Sequence, residues 1–271
     1  MHRIAARNEH GAIFQIVDLL KKEGYDTTGE TGPKARLLPM PVTILIQKPH
    51  ERVSFWNNFV DPFRPFLHGL DFLNKNAGSL ATQVKNLKND PCPSNVCLAL
   101  EEGPDARTYI QKVDNNVLNM WISSNMVWGL PIFAVVSMLH EFLANLLKCH
   151  LGSCWWSTMC LAVELKHLEL WKPYSHNPYT SEVEGFPMIS INLNRWRREL
   201  STLLTEGGEG KSFVDPFFTS VAVPIIKANK LIQQNELDEA HAAVGGCQSK
   251  DWKRACQNFI KARKEQNEHN G

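Results

Sequence analysis

The sequence predicts an α+β protein, with a mixed β-sheet packed on helices and a helical C-terminal section. Three observations carry this. Runs with period-two alternation, such as VTILI and VLNMWISS, are interleaved with runs of helical apolar spacing. The run Ile132–Leu147 is apolar nearly all round, the mark of a helix buried inside a domain. From Pro216 onward three helical stretches follow one another. Hydrophobic residues form 43% of the 271, with 8 Trp and 13 Phe, which is enough apolar mass for a large core.

Taken in order, HGAIFQIVDLLKKE spaces Ile13, Ile16, Val17 and Leu20 on one helical face. GYDTTGETGPK reads as a loop that carries on through ARLLP. PMPVTILIQKP reads as a strand with Val42, Ile44 and Ile46 on one side. PFLHGLDFLNKNAG is an amphipathic helix expected to end near Gly78, and a second short helix runs to LKNDP. VCLALEE is a strand, and TYIQKVDNNVLNMWISS is a hairpin turning at Asp114–Asn116. GSCWWSTMCLAVELKHLELW reads as a strand entry followed by a helix. PMISINLN reads as a strand leading into the helix NRWRRELSTLL, where Arg195 and Glu199 have i,i+4 spacing. The tail holds TSVAVPIIKANKLIQQ, ELDEAHAAV and DWKRACQNFIKARKE as helices. The expected organisation is a core over 1–212 and a helical extension over 213–271 packed on it.

A net charge of +1 supplies no global field toward nucleic acid or membrane. Lys253, Arg254, Lys261, Arg263 and Lys264 make the last helix locally basic, which reads as a solvated face rather than a nucleic-acid site. The run Ile132–Leu147 is interrupted by His140, Glu141 and Asn145, too short and too polar for a membrane span. Cysteine is odd in number at 7, with no CxxC, and the N-terminal stretch MHRIAARNEHG is polar. A cytoplasmic protein with reduced thiols is expected. His140, Cys149, His150, Cys154 and Cys160 match no zinc spacing, so no metal is expected. His140–Glu141 reads as a buried polar pair, Trp155–Trp156 as packing, and HLELWKPYSHNPY as a polar aromatic loop.

Several segments in one order resemble the thymidylate synthases and pyrimidine nucleotide hydroxymethylases, their viral branches above all. They are KPHERVSFW, PFLHGLDFLNKNAG, QVKNLKNDP, SSNMVWGLP with the buried helix behind it, and DPFFTSVAVP with DWKRAC. The resemblance covers residues 40–165 and 213–260. It implies a thymidylate synthase-like fold, a pyrimidine deoxynucleoside monophosphate as ligand, and a dimer formed with itself or with a related subunit. For an active member it also implies 5,10-methylenetetrahydrofolate as cofactor, and for a viral one the host cytoplasm as location. In the family a cysteine thiolate adds to the pyrimidine ring, and the ring then takes a one-carbon unit from the folate.

Matched residue by residue, much of that machinery is altered. Aligning Gln111 with the glutamine after the family's nucleophile sets Ala106 at the cysteine and Arg107 at the histidine beside it. The rival register makes Cys92 the nucleophile, with Cys97 a further candidate thiol. The family's paired phosphate arginines fall on Ser94 and Asn95, and its junction arginine falls on Ile122. Ser123 is kept. Arg36 resembles the N-terminal phosphate arginine. Asp71 takes the position of the glutamate that organises water and proton transfer, and Asn74 that of a nearby tryptophan. Asn125 replaces the junction aspartate, and Phe133 the asparagine that reads the base edge. The His-x-Tyr motif after the buried helix and the folate-covering tail have no counterpart. The resemblance thus implies Asp71 and, in the rival register, Cys92 as catalytic residues, with Arg36, Arg107, Ser123, Asn125 and Trp128 around the nucleotide. Losing an arginine fork and a thiolate together removes the contacts that separate transition state from ground state. The expected protein keeps the fold and a nucleotide or partner site but not the usual cysteine chemistry. The alternative is an active methyl- or hydroxymethyltransferase acting on dUMP or dCMP.

Overall fold

The computed structural model describes residues 2–24, 35–38, 41–50, 61–89, 96–98, 106–113, 116–124, 127–128, 130–158, 161–164, 186–190, 192–208 and 210–270. In chain order the elements are β1 (His2–Ala6), α1 (Glu9–Lys22), β2 (Ala35–Leu38), β3 (Val42–Ile46), α2 (Phe63–Asn89), β4 (Val96–Leu98) and β5 (Ala106–Val113). Then come β6 (Val117–Ser124), β7 (Val127–Trp128), α3 (Leu130–Leu147), β8 (His150–Thr158), β9 (Leu161–Glu164) and α4 (Leu193–Glu206). A π-helical turn, Phe218–Ala222, leads into α5 (Val223–Gln233), followed by α6 (Leu237–Gly245) and α7 (Lys250–Asn270).

The main sheet has six strands in the order β1-β3-β8-β6-β5-β4. It is mixed: β1 and β3 are parallel, as are β6 and β8, and the remaining neighbours are antiparallel. A smaller sheet runs β2-β9-β7. Alternation sorts side chains to two faces. One face carries Ile4, Val42, Ile44, Ile46, Leu118, Met120, Ile122, Cys154 and Trp156, all buried. The other face carries Thr43, Leu45, Ser157, Trp155, Asn119, Trp121 and Ser123, which keep contact with solvent. In β8 an irregularity lies opposite Leu118 and Met120, so that Leu118 pairs with Leu151 and Met120 with Cys154. Gly152 sits at this bulge. A Cβ there would come 2.6 Å from the Leu118 carbonyl and collide with Asn119 Oδ1, so the close approach requires glycine.

Helices cover the apolar face. α1 is capped by Asn8, whose side chain accepts from Gly11 N, and it buries Ala12, Ile16 and Leu20. α3 lies under β6 and β8, and His140 bonds the Leu118 carbonyl through Nε2 at 2.7 Å. α2 crosses α3 at Gly69, where any side chain would strike Met138. The C-terminal helices close on the start of α2 through edge-to-face contacts, Phe66 with Trp252 at 4.8 Å and Phe63 with Phe259 at 6.1 Å. Pro224 explains the π-helical turn. It has no N–H for the Ser220 carbonyl, and that carbonyl accepts from Gln248 N instead, at 2.8 Å. The α+β class with a helical C-terminal section holds.

Four expectations are corrected, and one strand appears that the sequence reading did not predict. α2 is one helix of 27 residues running through Gly78. That glycine is a packing site, since an added Cβ would lie 3.0 Å from the Arg197 guanidinium. LAVE is a strand, β9, held between β2 and β7, not the start of a helix. ARLL is a strand, so Arg36 lies on β2 rather than in a loop. The polar-looking HRIAA is the edge strand β1. In PMISINLN the described residues 186–190 are irregular, because side chains take their backbone groups. Asn145 Oδ1 accepts from Met188 N and Ile189 N, Asp215 accepts from Ser190 N, and the Met188 carbonyl accepts from Trp196 Nε1.

Candidate functional site

The stretch SSNMVWGLP joins the two sheets. Ser123 and Ser124 end β6, and Val127 and Trp128 form β7. Across β5–β6 the register pairs Arg107 with Ser123 and Ala106 with Ser124. Ser123 in turn pairs with Ser157 of β8, and Ser157 with Thr43 of β3. One row therefore crosses four strands as Thr43, Ser157, Ser123, Arg107. Its hydroxyls are linked at one end, where Thr43 Oγ1 and Ser157 Oγ lie 3.4 Å apart. In the smaller sheet Val163 pairs with Arg36 on one side and with Trp128 on the other. Four of the residues nominated from sequence thus fall into two register rows on either side of one short junction. Thr43 and Ser157 were missed; their signal is the alternation in VTILI and WWST, which sets both on the face of Ser123.

Ile122 is the position that the resemblance matches to the junction arginine. It is 1% exposed on the apolar face, opposite Trp156 in the register. This position now belongs to the core, and a guanidinium there would be buried without a partner. Asp71 lies elsewhere, on the outer stripe of α2. Its carboxylate pairs with Lys75 Nζ at 3.1 Å, both side chains being about half exposed. Cys92, Asn125, Ser94, Asn95 and the HLELWKPYSHNPY loop lie outside the described residues.

Three of the described cysteines, Cys154, Cys247 and Cys256, are buried and poor nucleophiles. Cys154 is buried on the core face of β8. Burial pushes the Cys247 thiol up to about 11, and that of Cys256 well above its ordinary value. His140 is fully buried, and desolvation holds its pKa down at about 4, so the ring is neutral at pH 7. It donates to the Leu118 carbonyl of β6, and Glu141 lines a small pocket. That pocket lies between Met138 and Glu141 of α3, Phe186, Met188, and Val221 and Trp252 of the C-terminal section. Its water-accessible volume of about 10 Å³ holds one water. Among the described residues no cluster of His, Cys, Asp or Glu could hold a metal ion. No helix among them is long and apolar enough to cross a membrane.

The basic last helix uses its charges within the fold. Lys253 Nζ donates to the Gly245 carbonyl at 2.6 Å, capping α6. Lys264 pairs with Asp238, and its hydrogen bond and charge hold that carboxyl below its ordinary value. The Arg263 guanidinium lies 5.6 Å from the Phe259 ring centre. Arg195 and Glu199 pair at 3.0 Å as their spacing predicts, and Glu199 also accepts from Val214 N and Asp215 N.

No family model matches the chain. Along nearly its whole length it is similar to the deoxyuridylate hydroxymethyltransferase of Pseudomonas phage M6. The two are 23% identical over 337 aligned positions, which cover 97% of this chain and 95% of that protein. Among solved structures it resembles thymidylate synthase from T4 phage, at 14% identity and a TM-score of 0.47, covering 70% of this chain and 91% of the other. The order of the matching sequence segments agrees with this end-to-end similarity to the phage enzyme.

Proposed function

We propose that the protein binds a pyrimidine deoxynucleoside monophosphate at the junction of its two sheets and works as a dimer, without the family's cysteine-based one-carbon transfer. The observation that carries this reading is the pair of register rows. Arg107 stands opposite Ser123 in one, and Arg36 and Trp128 flank Val163 in the other. Two arginines and a hydroxyl suit a phosphate dianion, and an indole suits a base. Ala106 begins β5 at the position matched to the nucleophile, and a methyl group cannot add to a pyrimidine ring.

Calorimetric titration tests the reading. Deoxyuridylate or deoxycytidylate should bind at least about tenfold more tightly than the matching nucleoside, and Arg107→Ala should remove most of that difference. Equal or absent binding of nucleotide and nucleoside would sink it.

A second reading is active hydroxymethyl or methyl transfer, with Cys92 as nucleophile and Asp71 in the proton work. It is favoured by the similarity to a deoxyuridylate hydroxymethyltransferase over nearly the full length of both chains. Release of tritium from carbon 5 of labelled deoxyuridylate or deoxycytidylate, in the presence of 5,10-methylenetetrahydrofolate, separates the two. Turnover abolished by Cys92→Ala establishes the second reading. Tight nucleotide binding without tritium release leaves the first.

A further inference from the structure

The pocket beside Glu141 lies on the seam between the core and the C-terminal section. Its lining comes from separate stretches of chain: Met138 and Glu141 on α3, Met188 before α4, and Phe217, Ser249 and Trp252 of the C-terminal section. Glu141 is only 7% exposed, so its carboxylate sits almost out of water. The Ser249 hydroxyl donates to Asp251 Oδ1 at 2.6 Å, which leaves the lone pairs of its own oxygen to accept. Nearby amides are committed elsewhere, Met188 N–H to Asn145 Oδ1 and Phe217 N–H to Asp215 Oδ1. We propose that this pocket binds one monovalent cation of water's size, potassium or ammonium, held by Glu141 and Ser249. The bound ion ties the C-terminal section to the buried helix α3, with or without a nucleotide at the sheet junction.

The occupant follows from size and charge. The water-accessible volume of about 10 Å³ admits a single species as large as a water molecule. A buried carboxylate favours a positive occupant, because an opposite charge offsets the loss of its hydration. Glu141 has a contact within the fold, and an ionised carboxylate accepts at about four lone-pair sites, so it serves both. Phe217 and Trp252, with the thioethers of Met138 and Met188, complete the wall. Ring faces and sulfur lone pairs are electron-rich and attract cations rather than anions. Two oxygen-bearing side chains do not make the shell of roughly six or more oxygens that a calcium or magnesium ion requires.

Thermal unfolding of the full chain in potassium, ammonium, sodium and tetramethylammonium chlorides, at one ionic strength, tests this. Sodium is smaller than the proposed occupant, and tetramethylammonium is larger than the pocket admits. Potassium or ammonium should raise Tm by at least about 3 °C over the other two, and Glu141→Gln should remove the difference. A larger rise with one of them names the ion. Equal Tm in all four salts, or a rise that survives in Glu141→Gln, overturns the proposal. The wild-type protein gives a second readout that needs no variant. Crystals grown with thallium(I) acetate, a heavy stand-in for potassium and ammonium, should show an anomalous peak between Glu141 and Ser249. A pocket that holds only water under those conditions overturns the site.

Discussion

Trp121 and Ile122 are neighbours on β6 and lead opposite lives. Ile122 is 1% exposed in the helix-covered face, and Trp121 is 45% exposed on the open one. One strand thus belongs half to a finished core and half to a surface open to solvent. The resemblance put an arginine at position 122, where the phosphate would be gripped. Core packing occupies that position, while Ser123, the next residue, lies exposed on the open side.

The largest test of this contrast is to restore the arginine. Ile122→Arg should not rebuild a phosphate site. It should destabilise the protein by roughly 3–5 kcal/mol, because it buries an unpaired charge and removes a packed side chain. Urea denaturation followed by fluorescence reads this out, and a variant as stable as the parent would show that the strand can turn over.

A smaller effect comes from acid. His140, beneath the same face, has a folded pKa of about 4 against 6.5 when unfolded. The unfolded chain therefore takes the proton first. The contribution is complete above pH 6.5 and is lost as pH falls toward 4, by about 3 kcal/mol at most. Stability measured against pH should fall less steeply across that window in His140→Gln, which keeps a donor toward the Leu118 carbonyl. Parallel curves would reject the assignment.

The smallest effect belongs to the open face. In a monomer, Trp121→Ser should change unfolding free energy by only about 0.5 kcal/mol, since exposed side chains contribute little to a single chain's fold. Denaturation at low protein concentration checks it, and a loss above about 2 kcal/mol would mean the indole supports its own sheet.

Much of this architecture was legible wherever a signal was local. The apolar run became α3, β5 and β6 pair antiparallel as the hairpin reading requires, and the three tail helices stand where their periodicity put them. The misreadings share a cause, which is that a partner distant in sequence decided the outcome. HRIAA is a strand because β3 pairs with it, and LAVE because β2 and β9 meet. Gly78 fails to end α2 because an arginine on α4 packs over it. The region 186–190 forgoes a ladder because Asn145, Asp215 and Trp196 take its amides and one carbonyl. At the junction, sequence order picked out Ser123 and Arg107, and the register made them neighbours. Reading Arg36 as a loop residue hid its row with Val163 and Trp128, because β2 and β7 meet only through β9.

The bulge at Gly152 has a further consequence. Leu151 and Cys154 both pack on the core although they are three residues apart, so β8 changes phase between them. Each end of the strand is thereby free to keep its own reading frame. Delete one residue from this point and the strand must slip, sending either Leu151 outward or Trp155 inward. The extra residue is a spacer that lets the chain lengthen or shorten upstream while Trp155 keeps facing out.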